Sequence, residues 1–398
     1  MLNFNEARRA ILRAVKEPGT ETIPVRESLG RVLARDLTVP RDYPDTRRSA
    51  VDGYALRFGD GESFQLVGEV AAGEIPDCTL EPGQCVMVMT GGTVPERANC
   101  VVKVEDCEKD AGRIRVQVAM EPGTYINEPG SETTAGTPLL QAGARLDHGR
   151  YSALFYAGIS EVEVYKRPRV AVLITGEELR EVEDEPAPGK AFNTNRYILE
   201  SVFSRLGVSC AVDKWIPDRV ETTRQALNTL SESCQFVVSS GAVSMGRYDY
   251  IKDVFQESDF SLVIEGTAIK PGSPLLVAER SETLFFGMPG YPSAFLTNAL
   301  LYLVPALKKA CGRIDFDHVP IEAELATPMH ARRGRLDACR ATLEVEDGRW
   351  FASDPGSQTT SHFLNFAKVN GLVLLPESMG DQPVGAEVKA LCFDLELT

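Results

Sequence analysis

The sequence predicts a multidomain protein in which a doubly wound α/β domain is joined to two β-rich domains. The chain has 398 residues, more than one typical domain needs. Apolar strand-like runs alternate with helix-like segments over residues 167–312, and this alternation is typical of a parallel sheet covered by helices. Short alternating runs separated by Gly and Pro occupy residues 46–137 and 313–398, and they predict β structure.

The first domain is predicted to be discontinuous, made of residues 1–45 and 138–166. It begins with an amphipathic helix over residues 1–16, where apolar side chains recur at helical spacing between arginines. Two further helices and one strand complete the prediction, over residues 27–33, 148–158 and 161–164.

Residues 46–137 interrupt the first domain and are predicted to form a small inserted β domain. Its strands are the apolar runs at residues 64–67, 85–89, 100–104 and 113–116. Residues 313–398 predict a C-terminal β barrel or sandwich. Its strands are expected at residues 321–325, 341–345, 372–375 and 388–392.

The α/β domain is predicted over residues 167–312. Its strands are expected at residues 170–174, 210–215, 234–239 and 284–287, and its helices at 194–206, 219–231 and from 292 to 309. Three loops follow carboxyl ends of these strands: Thr175-Gly176-Glu177-Glu178, Ser240-Gly241-Ala242 and Met288-Pro289-Gly290. Because ligands of doubly wound sheets bind at that edge, the three loops predict one shared site.

The composition excludes several classes of protein. The net charge of −15 and the pI near 4.9 argue against a general binder of nucleic acid or of anionic membranes. No apolar run reaches membrane-spanning length, and the first residues do not resemble a signal peptide. The nine cysteines form no CxxC pair. We therefore expect reduced thiols, no Cys/His zinc site and a cytoplasmic location.

The segment at residues 239–250, SSGAVSMGRYDY, carries the strongest indication of a ligand. It follows an apolar strand and precedes a predicted helix at residues 250–255. Small residues allow a ligand to approach the backbone, and a helix N-terminus favours an anion. A carboxylate at Asp249 would be repelled by that anion unless a cation bridged the two. The segment favours an oxyanionic ligand with a divalent metal; an ordinary strand-to-helix turn is the alternative.

Four other segments are candidates for chemistry, and each also has a plain structural explanation. Asp52 precedes a glycine, and Gly91-Gly92 follows a strand, so both can be simple turns. Lys270 stands before a rigid turn, where a lysine is either solvated or supplies positive charge to an anion site. The densest basic cluster needs acidic protein surface or a bound oxyanion; it comprises Arg332, Arg333, Arg335 and Arg340.

Together these segments resemble the MoeA family of molybdenum insertases, which includes the gephyrin E domain. The matching motifs, in family order, are SAVDGYA (49–55), MTGGTVP (89–95), ITGEEL (174–179), FNTNR (192–196), SSGAVSMGRYDY (239–250), IKPG (269–272) and GMPGYP (287–292). The resemblance implies an elongated homodimer with a linking and dimerisation domain, an inserted β domain, a MogA-like α/β domain and a C-terminal β barrel. Each site would combine the α/β domain of one subunit with the second and fourth domains of the other.

The resemblance also implies an activity. The family uses adenylylated molybdopterin and molybdate, cleaves the pyrophosphate link, releases AMP and leaves molybdenum on the dithiolene, assisted by Mg²⁺ or another divalent cation. A molybdopterin adenylyltransferase and molybdoenzyme acceptors are the implied partners, with no nucleic acid and no membrane. A metal that polarises a phosphoryl oxygen suits this chemistry.

Family roles are carried over by position. Catalytic roles fall on Asp52, Thr90, Glu178, Asp249 and Lys270, and metal binding falls on Asp249 and Asn193. The implied substrate-binding residues are Thr175, Gly176, Ser240, Gly241, Ser244, Ser273, Pro289, Gly290, Pro292, Arg335 and Arg340. Either Arg335 or Arg340 fills the arginine position of the family.

The chain departs from the family pattern at several positions. Asn193 stands where the family has Asp, and Ser273 and Gly266 stand where it has lysines. Val51 and Tyr291 replace the usual Met and Asn. Because asparagine offers a metal one neutral carbonyl oxygen, these changes suggest weakened or altered metal-dependent chemistry.

Three functions therefore stay open on the sequence alone. The first is molybdenum insertion, which Asp249, Lys270 and Glu178 favour. The second is a binding module that holds molybdopterin or a partner protein with little turnover, which Asn193 and Ser273 favour. The third is insertion of tungsten, because tungstate and molybdate are nearly isosteric.

Overall fold

The protein is described by a computed structural model that covers residues 1–77, 79–217, 219–241, 254–255 and 259–397. The first domain opens with the helix Phe4–Ala14, as predicted. Asn3 caps this helix, since its side chain accepts from the Glu6 amide and the Glu6 carboxylate accepts from the Asn3 amide. The other elements of the domain are the helix His148–Tyr156 and the strands Thr20–Pro24, Leu37–Thr38, Pro138–Leu140 and Glu161–Tyr165.

Two antiparallel pairs join the separated halves of the first domain. Thr20–Pro24 pairs with Glu161–Tyr165, and Leu37–Thr38 pairs with Pro138–Leu140. The helix predicted over residues 27–33 is wrong. A short 3-10 helix, Val25–Glu27, stands there instead, and Gly30 then adopts φ +75°, which ends helical geometry.

The inserted domain is a six-stranded sheet. Its strand order is Cys100–Lys103, Gly53–Leu56, Gln84–Val88, Ser63–Val70, Arg113–Val116 and Cys107–Asp110. The four predicted strands are confirmed, and Phe64, Cys85 and Ile114 are fully buried in the core. A small pair, Arg48–Ser49 with Ile126–Asn127, lies beside this sheet.

The α/β domain is confirmed, but its sheet is mixed instead of wholly parallel. The strand order is Cys210–Ile216, Val170–Thr175, Phe236–Ser240, Thr283–Met288, Leu276–Arg280 and Ser261–Glu265. The last two strands are antiparallel to their neighbours and were not predicted. The helices are Thr194–Leu206, Val220–Ser231 and a long apolar one made of Pro292–Asn298, the π segment Ala299–Leu303 and Val304–Ala310.

The C-terminal domain is a closed barrel of five strands, which decides between the predicted barrel and sandwich. Leu336–Glu346 closes it by pairing with one neighbour along its first half and another along its second. The barrel strands are Ile321–Leu325, Leu336–Glu346, Arg349–Ser353, Gly371–Leu375 and Glu387–Cys392. The short strand Ile269–Lys270 of the preceding domain pairs with Leu336 and Asp337. Two helical turns, Leu364–Lys368 and Phe393–Glu396, follow the strands.

The cysteines that the structure describes are all free thiols. Cys85 and Cys234 are buried, as predicted, whereas Cys210 is exposed. Burial raises the pKa of the Cys85 thiol to about 12, so it is protonated at neutral pH. Within the described part of the chain, no helix is long and apolar enough to cross a membrane.

Candidate active site at the carboxyl edge of the α/β sheet

A cavity of ≈ 600 Å³ lies at the carboxyl ends of three adjacent strands of the α/β sheet. The strands are Val170–Thr175, Phe236–Ser240 and Thr283–Met288. Its lining residues include Thr175, Glu178, Phe192, Asn193, Asn195, Ser240, Gly241, Gly290, Tyr291, Pro292, Ser361 and Phe363. All three loops predicted to share one site contribute to this lining.

Direct hydrogen bonds hold the strand-end loops together. The Thr175 hydroxyl donates to the Ser240 carbonyl oxygen at 3.2 Å, and the Gly241 amide donates to the Met288 carbonyl oxygen at 3.0 Å. Gly241 has φ +92°, and a Cβ there would lie 3.1 Å from the Thr175 hydroxyl oxygen. A glycine is therefore required by both backbone conformation and space.

The Asn195 side chain connects two loops of the cavity, and the sequence alone had indicated no role for it. It is 5 % exposed. Its Nδ2 donates to the Ser240 hydroxyl at 2.8 Å and to the Gly290 carbonyl oxygen at 2.9 Å. Its Oδ1 is buried and has no hydrogen-bond partner within the described residues. The only sequence signal was its place in the FNTNR motif.

Asn193 begins the helix Thr194–Leu206 and lines the same cavity. It is 1 % exposed, and its Oδ1 accepts a long hydrogen bond of 3.4 Å from the Arg196 amide. Its Nδ2 is buried with no partner in the part of the chain described here. A buried amide hydrogen without an acceptor costs free energy, so this group is a candidate ligand contact.

Glu178 presents its carboxylate beside the backbone of Gly176. A Cβ at Gly176 would lie 3.0 Å from each Glu178 carboxylate oxygen, and Gly176 has φ +131°. Glu178 is exposed, whereas Gly176 is buried. The glycine therefore permits the carboxylate to fold back over the loop and face the cavity.

The C-terminal barrel also contributes to this cavity through a loop that carries Ser361 and Phe363. The Ser293 hydroxyl, at the start of the long apolar helix, donates to the Thr360 carbonyl oxygen. This fourth-domain contribution comes from the same chain, although the resemblance implied the other subunit. No sequence pattern had pointed to either residue.

Arg340 holds that loop, which differs from the substrate contact that the resemblance implied. The side chain is 2 % exposed. Its guanidinium donates to the carbonyl oxygens of Ser357 at 2.7 Å and Thr359 at 3.0 Å, to that of His362, and to Asn365 Oδ1 at 3.2 Å. Because its terminal nitrogens are used inside the protein, we regard Arg340 as a positioning residue.

Lys270 and Arg335 lie where the α/β domain meets the barrel, and neither lines the ≈ 600 Å³ cavity. Lys270 is paired in register with Asp337, which is 5 % exposed. Asp337 accepts from the Arg332 amide at 2.7 Å and from Arg335 Nη2 at 3.2 Å. Lys270 itself is exposed. The barrel therefore places an exposed lysine beside a carboxylate that arginine already neutralises.

The turn after Lys270 departs from the expected cation-rich pattern. Ser273 has its hydroxyl 3.6 Å from the Met1 sulfur, and a Cβ at Gly266 would lie 3.3 Å from the Met1 side chain. Both positions thus face the N-terminus of the chain.

Pro289 is buried and Pro292 begins the long apolar helix.

Asp52 and Thr90 are brought together by the inserted domain. Asp52 Oδ1 accepts from the Thr90 amide and from the Thr90 hydroxyl, each at 2.7 Å. These two hydrogen bonds hold the pKa of Asp52 below its usual value. Thr90 lines a separate cavity of ≈ 430 Å³, with Arg48 and Glu132. Within one chain, this ≈ 430 Å³ cavity and the ≈ 600 Å³ cavity at the strand ends have no lining residue in common. Asp249 and Ser244 lie outside the described residues.

Comparison with known families decides where the chain belongs. Residues 2–158 match the MoeA N-terminal region (domain I and II), residues 171–309 match a probable molybdopterin binding domain, and residues 322–393 match the MoeA C-terminal region (domain IV). The chain belongs to the MoeA family. The three matches follow one another in order and leave only short gaps.

Individual MoeA relatives agree with this assignment over nearly the whole chain. A molybdopterin molybdenumtransferase from Nostoc is 28% identical over 370 residues, which cover 90% of this chain and 85% of the relative. One from Staphylococcus epidermidis is 27% identical over 383 residues, which cover 94% and 91%. The crystal structure of a molybdopterin biosynthesis MoeA protein from Pyrococcus horikoshii superposes with a TM-score of 0.84 at 28% identity, covering 99% of both chains.

Proposed function

We propose that this MoeA protein inserts molybdenum from molybdate into adenylylated molybdopterin and releases AMP. The observation that carries the proposal is the ≈ 600 Å³ cavity built by the strand-end loops inside the segment that matches a molybdopterin binding domain. The volume is typical of small-molecule sites. Relatives along nearly the full chain are named molybdopterin molybdenumtransferase.

The polar groups of the cavity suit a pterin–nucleotide ligand. The Ser240 hydroxyl and the Gly290 carbonyl oxygen are both held by Asn195, at 2.8 and 2.9 Å. The unpaired Asn193 Nδ2 and Asn195 Oδ1 offer one donor and one acceptor. Phe192 and Phe363 supply apolar surface. Because these groups are already held in place, ligand binding does not cost the conformational entropy of ordering them.

Mg²⁺ is the cofactor that this chemistry implies, and the donor set fits it. The Glu178 carboxylate and the Asn193 carbonyl oxygen belong to one cavity, and Mg²⁺ is commonly held by one or two carboxylates plus substrate phosphates. We assign metal binding to Asn193 and, from its position in the family motif, to Asp249. When bound, the ion would polarise a phosphoryl oxygen and offset leaving-group charge.

The protein's own residues then bind and orient the substrates. Thr175, Ser240 and Gly241 position the phosphate-bearing part through the strand-end loops, and Glu178 orients the pyrophosphate link. Lys270 supplies positive charge for molybdate from the junction with the barrel. Arg340 acts through the loop that it holds, because its guanidinium donates to that loop.

We also propose a homodimer in which Asp52 and Thr90 of the partner complete the site. Support comes from their geometry, since two 2.7 Å hydrogen bonds order the pair, and Thr90 lines a different cavity within one chain. Substrate would come from a molybdopterin adenylyltransferase, and product would pass to molybdoenzymes. Tungstate, which has nearly the same shape as molybdate, is the alternative substrate and would supply tungsten.

A binding module with little turnover is the second candidate. Asn193 favours it, because its single oxygen is already engaged with the Arg196 amide at 3.4 Å and carries no charge. A weak metal site would leave binding of the pterin intact and slow the cleavage of the pyrophosphate link.

AMP release discriminates between the candidates. Purified protein is incubated with adenylylated molybdopterin, molybdate and Mg²⁺, and AMP is quantified against Glu178→Gln and its neighbour Glu177→Gln. Glu177 is exposed and does not line the cavity, so it is a matched control. Turnover that Glu178→Gln alone abolishes supports the enzyme. Tight binding of the pterin without AMP would support the binding module and contradict the proposed reaction.

A further inference from the structure

The loop that presents Lys270 is closed by its own main chain. We call residues 267–273 the Lys270 loop. The Thr267 amide donates to the Ser273 carbonyl oxygen at 3.0 Å, and the strand Ile269–Lys270 pairs with the barrel. Lys270 is exposed, whereas Thr267 and Gly272 are buried. Both flanks of the loop therefore lie inside the protein, while its cation is accessible to a ligand.

Two polar side chains of the long apolar helix contact this loop. Asn298 and Tyr302 are 0 % and 1 % exposed, and residues four positions apart lie on the same face of a helix. Asn298 ends the first α-helical part, and Tyr302 lies in the π segment Ala299–Leu303. Segments of π-helix are rare and occur frequently at functional sites. The helix thus changes its geometry where these two side chains meet the loop.

Tyr302 anchors the first end of the Lys270 loop. Its hydroxyl oxygen lies 2.7 Å from the Thr267 hydroxyl oxygen, which is the length of a hydrogen bond. Burial raises the pKa of the Tyr302 hydroxyl, although the hydrogen bond with Thr267 and the charge of Arg8 act in the opposite direction. The hydroxyl is therefore protonated at neutral pH, and it ties the helix directly to Thr267.

Asn298 contacts the other end of the loop at Gly272. A Cβ at Gly272 would lie 2.5 Å from Asn298 Oδ1, and Gly272 has φ +107°, so a glycine is needed for this close approach. Asn298 Oδ1 and Nδ2 are both buried and have no hydrogen-bond partner among the residues that the structure describes. Because buried amides require polar partners, the main chain at Gly272 is the group with which Asn298 can pair, directly or through one water.

The same helix also reaches the candidate active site. Pro292, its first residue, lines the ≈ 600 Å³ cavity. Asn298 lies at the other end of this α-helical part, which is about 9 Å further along the helix axis. Phe295, between them, is 0 % exposed in the core of the α/β domain. Since packed cores deform little, the helix is a rigid spacer between the cavity and the Lys270 loop.

We propose that Asn298 and Tyr302 are positioning residues that hold the Lys270 loop, so that the long apolar helix sets the place of the Lys270 ammonium relative to the cavity. The inference rests on the proposed function, in which Lys270 supplies positive charge for molybdate. Asn298 and Tyr302 are fully buried, so they act through Lys270 and not by contact with the substrate. A cation binds an oxyanion strongly only when it is held at hydrogen-bonding distance.

Titration calorimetry with molybdate tests the proposal on the full chain. Asn298→Leu removes the amide and keeps nearly the same volume, and Tyr302→Phe removes only the hydroxyl. We expect each variant to weaken molybdate binding about fivefold, because the loop loses one of these anchors. Binding of adenylylated molybdopterin, measured without molybdate and Mg²⁺, should stay unchanged. A general loss of folding would weaken the binding of both ligands.

Thr297→Val is the matched control. Thr297 is 0 % exposed, and its hydroxyl donates to the Ser293 carbonyl oxygen of the same helix at 2.9 Å. The variant loses this buried hydrogen bond and leaves the contacts of Asn298 and Tyr302 with the loop in place, so it should bind molybdate like the wild type. Tyr302→Phe keeps the test valid even if Asn298→Leu folds poorly, because it removes a single oxygen atom.

A double variant shows whether Asn298 acts through Lys270. Lys270→Gln should weaken molybdate binding, and the combination with Asn298→Leu should bind no more weakly than Lys270→Gln alone. The inference alone is overturned if Lys270→Gln weakens binding while Asn298→Leu and Tyr302→Phe bind molybdate like Thr297→Val, or if the effects of Asn298→Leu and Lys270→Gln add. Molybdate binding that Lys270→Gln leaves unchanged would contradict both the inference and the role of Lys270 in the proposed function.

Discussion

Asn195 joins two of the three strand-end loops, since its Nδ2 donates to the Ser240 hydroxyl and to the Gly290 carbonyl oxygen, at 2.8 and 2.9 Å. Asn195 is buried on the helix that starts at Thr194. The Asn195 amide thus adds to the main-chain hydrogen bond from Gly241 to Met288 in fixing the relative position of the Ser240 and Gly290 loops.

Replacing Asn195 with Ala should impair catalysis more than folding. Because the variant loses two buried hydrogen bonds, the Ser240 and Gly290 loops can shift. We therefore expect kcat/KM for AMP release to fall about tenfold or more. Steady-state kinetics of the variant measure this. Asn5→Ala is the control, because Asn5 is exposed in the first helix. Equal kinetics for the two variants would contradict the role of Asn195.

Arg340→Met should destabilise the loop that carries Ser361 and Phe363. The change leaves several carbonyl oxygens without their donor, at a cost of about 1–3 kcal/mol for each buried group that stays unsatisfied. We expect a lower free energy of unfolding and a higher KM. Arg349→Met is the comparison, since Arg349 is exposed on the adjacent barrel strand. Arg340→Lys should rescue little, because one ammonium cannot replace the planar fork.

The fold could be predicted from the regular spacing of apolar residues in the helices and strands. The site could be predicted only from the residues in the loops that follow the strands. The helix Thr194–Leu206 has the predicted bounds because an N-cap precedes it and Gly207 ends it. The strands Leu276–Arg280 and Ser261–Glu265 were missed, although Leu276–Arg280 contains a short apolar run. The turn at Gly30 was not predicted, because residues 27–33 have a helix-like apolar pattern although Gly30 itself has positive φ.

Residues whose role depends on distant partners could not be identified from sequence. Arg340 looked like an anion ligand because it belongs to a basic cluster. Its acceptors lie 17 to 25 positions further along the chain. Ser361 and Phe363 reach the cavity only because the barrel packs on the long apolar helix.

Thr90→Val should raise the pKa of Asp52 toward its usual value. The variant loses the hydroxyl hydrogen bond and keeps the amide one, so the rise should be partial. Because the pKa of Asp52 is lowered in the folded protein, its stabilising contribution is present above the unfolded pKa and is lost as pH falls through the folded pKa. An NMR titration of the Asp52 carboxyl group measures its pKa in the wild type and in the variant. Thr93→Val should leave the pKa of Asp52 unchanged.

Asn193→Asp should strengthen Mg²⁺ binding. A carboxylate adds negative charge to the donor set and still caps the helix, since Asp and Asn are equally good N-caps. We expect the Mg²⁺ concentration for half-maximal AMP release to fall about tenfold. A titration of activity against Mg²⁺ gives the value. If the wild type and the variant respond alike, the asparagine is harmless and the idea of a weakened site is wrong.

A crystal structure of the protein with adenylylated molybdopterin tests the proposed substrate site most directly. We expect ligand density in the ≈ 600 Å³ cavity, with phosphate groups beside the loops of Thr175 and Ser240. Density bound elsewhere, with this cavity filled only by solvent, would contradict the central claim that the strand-end loops hold the substrate.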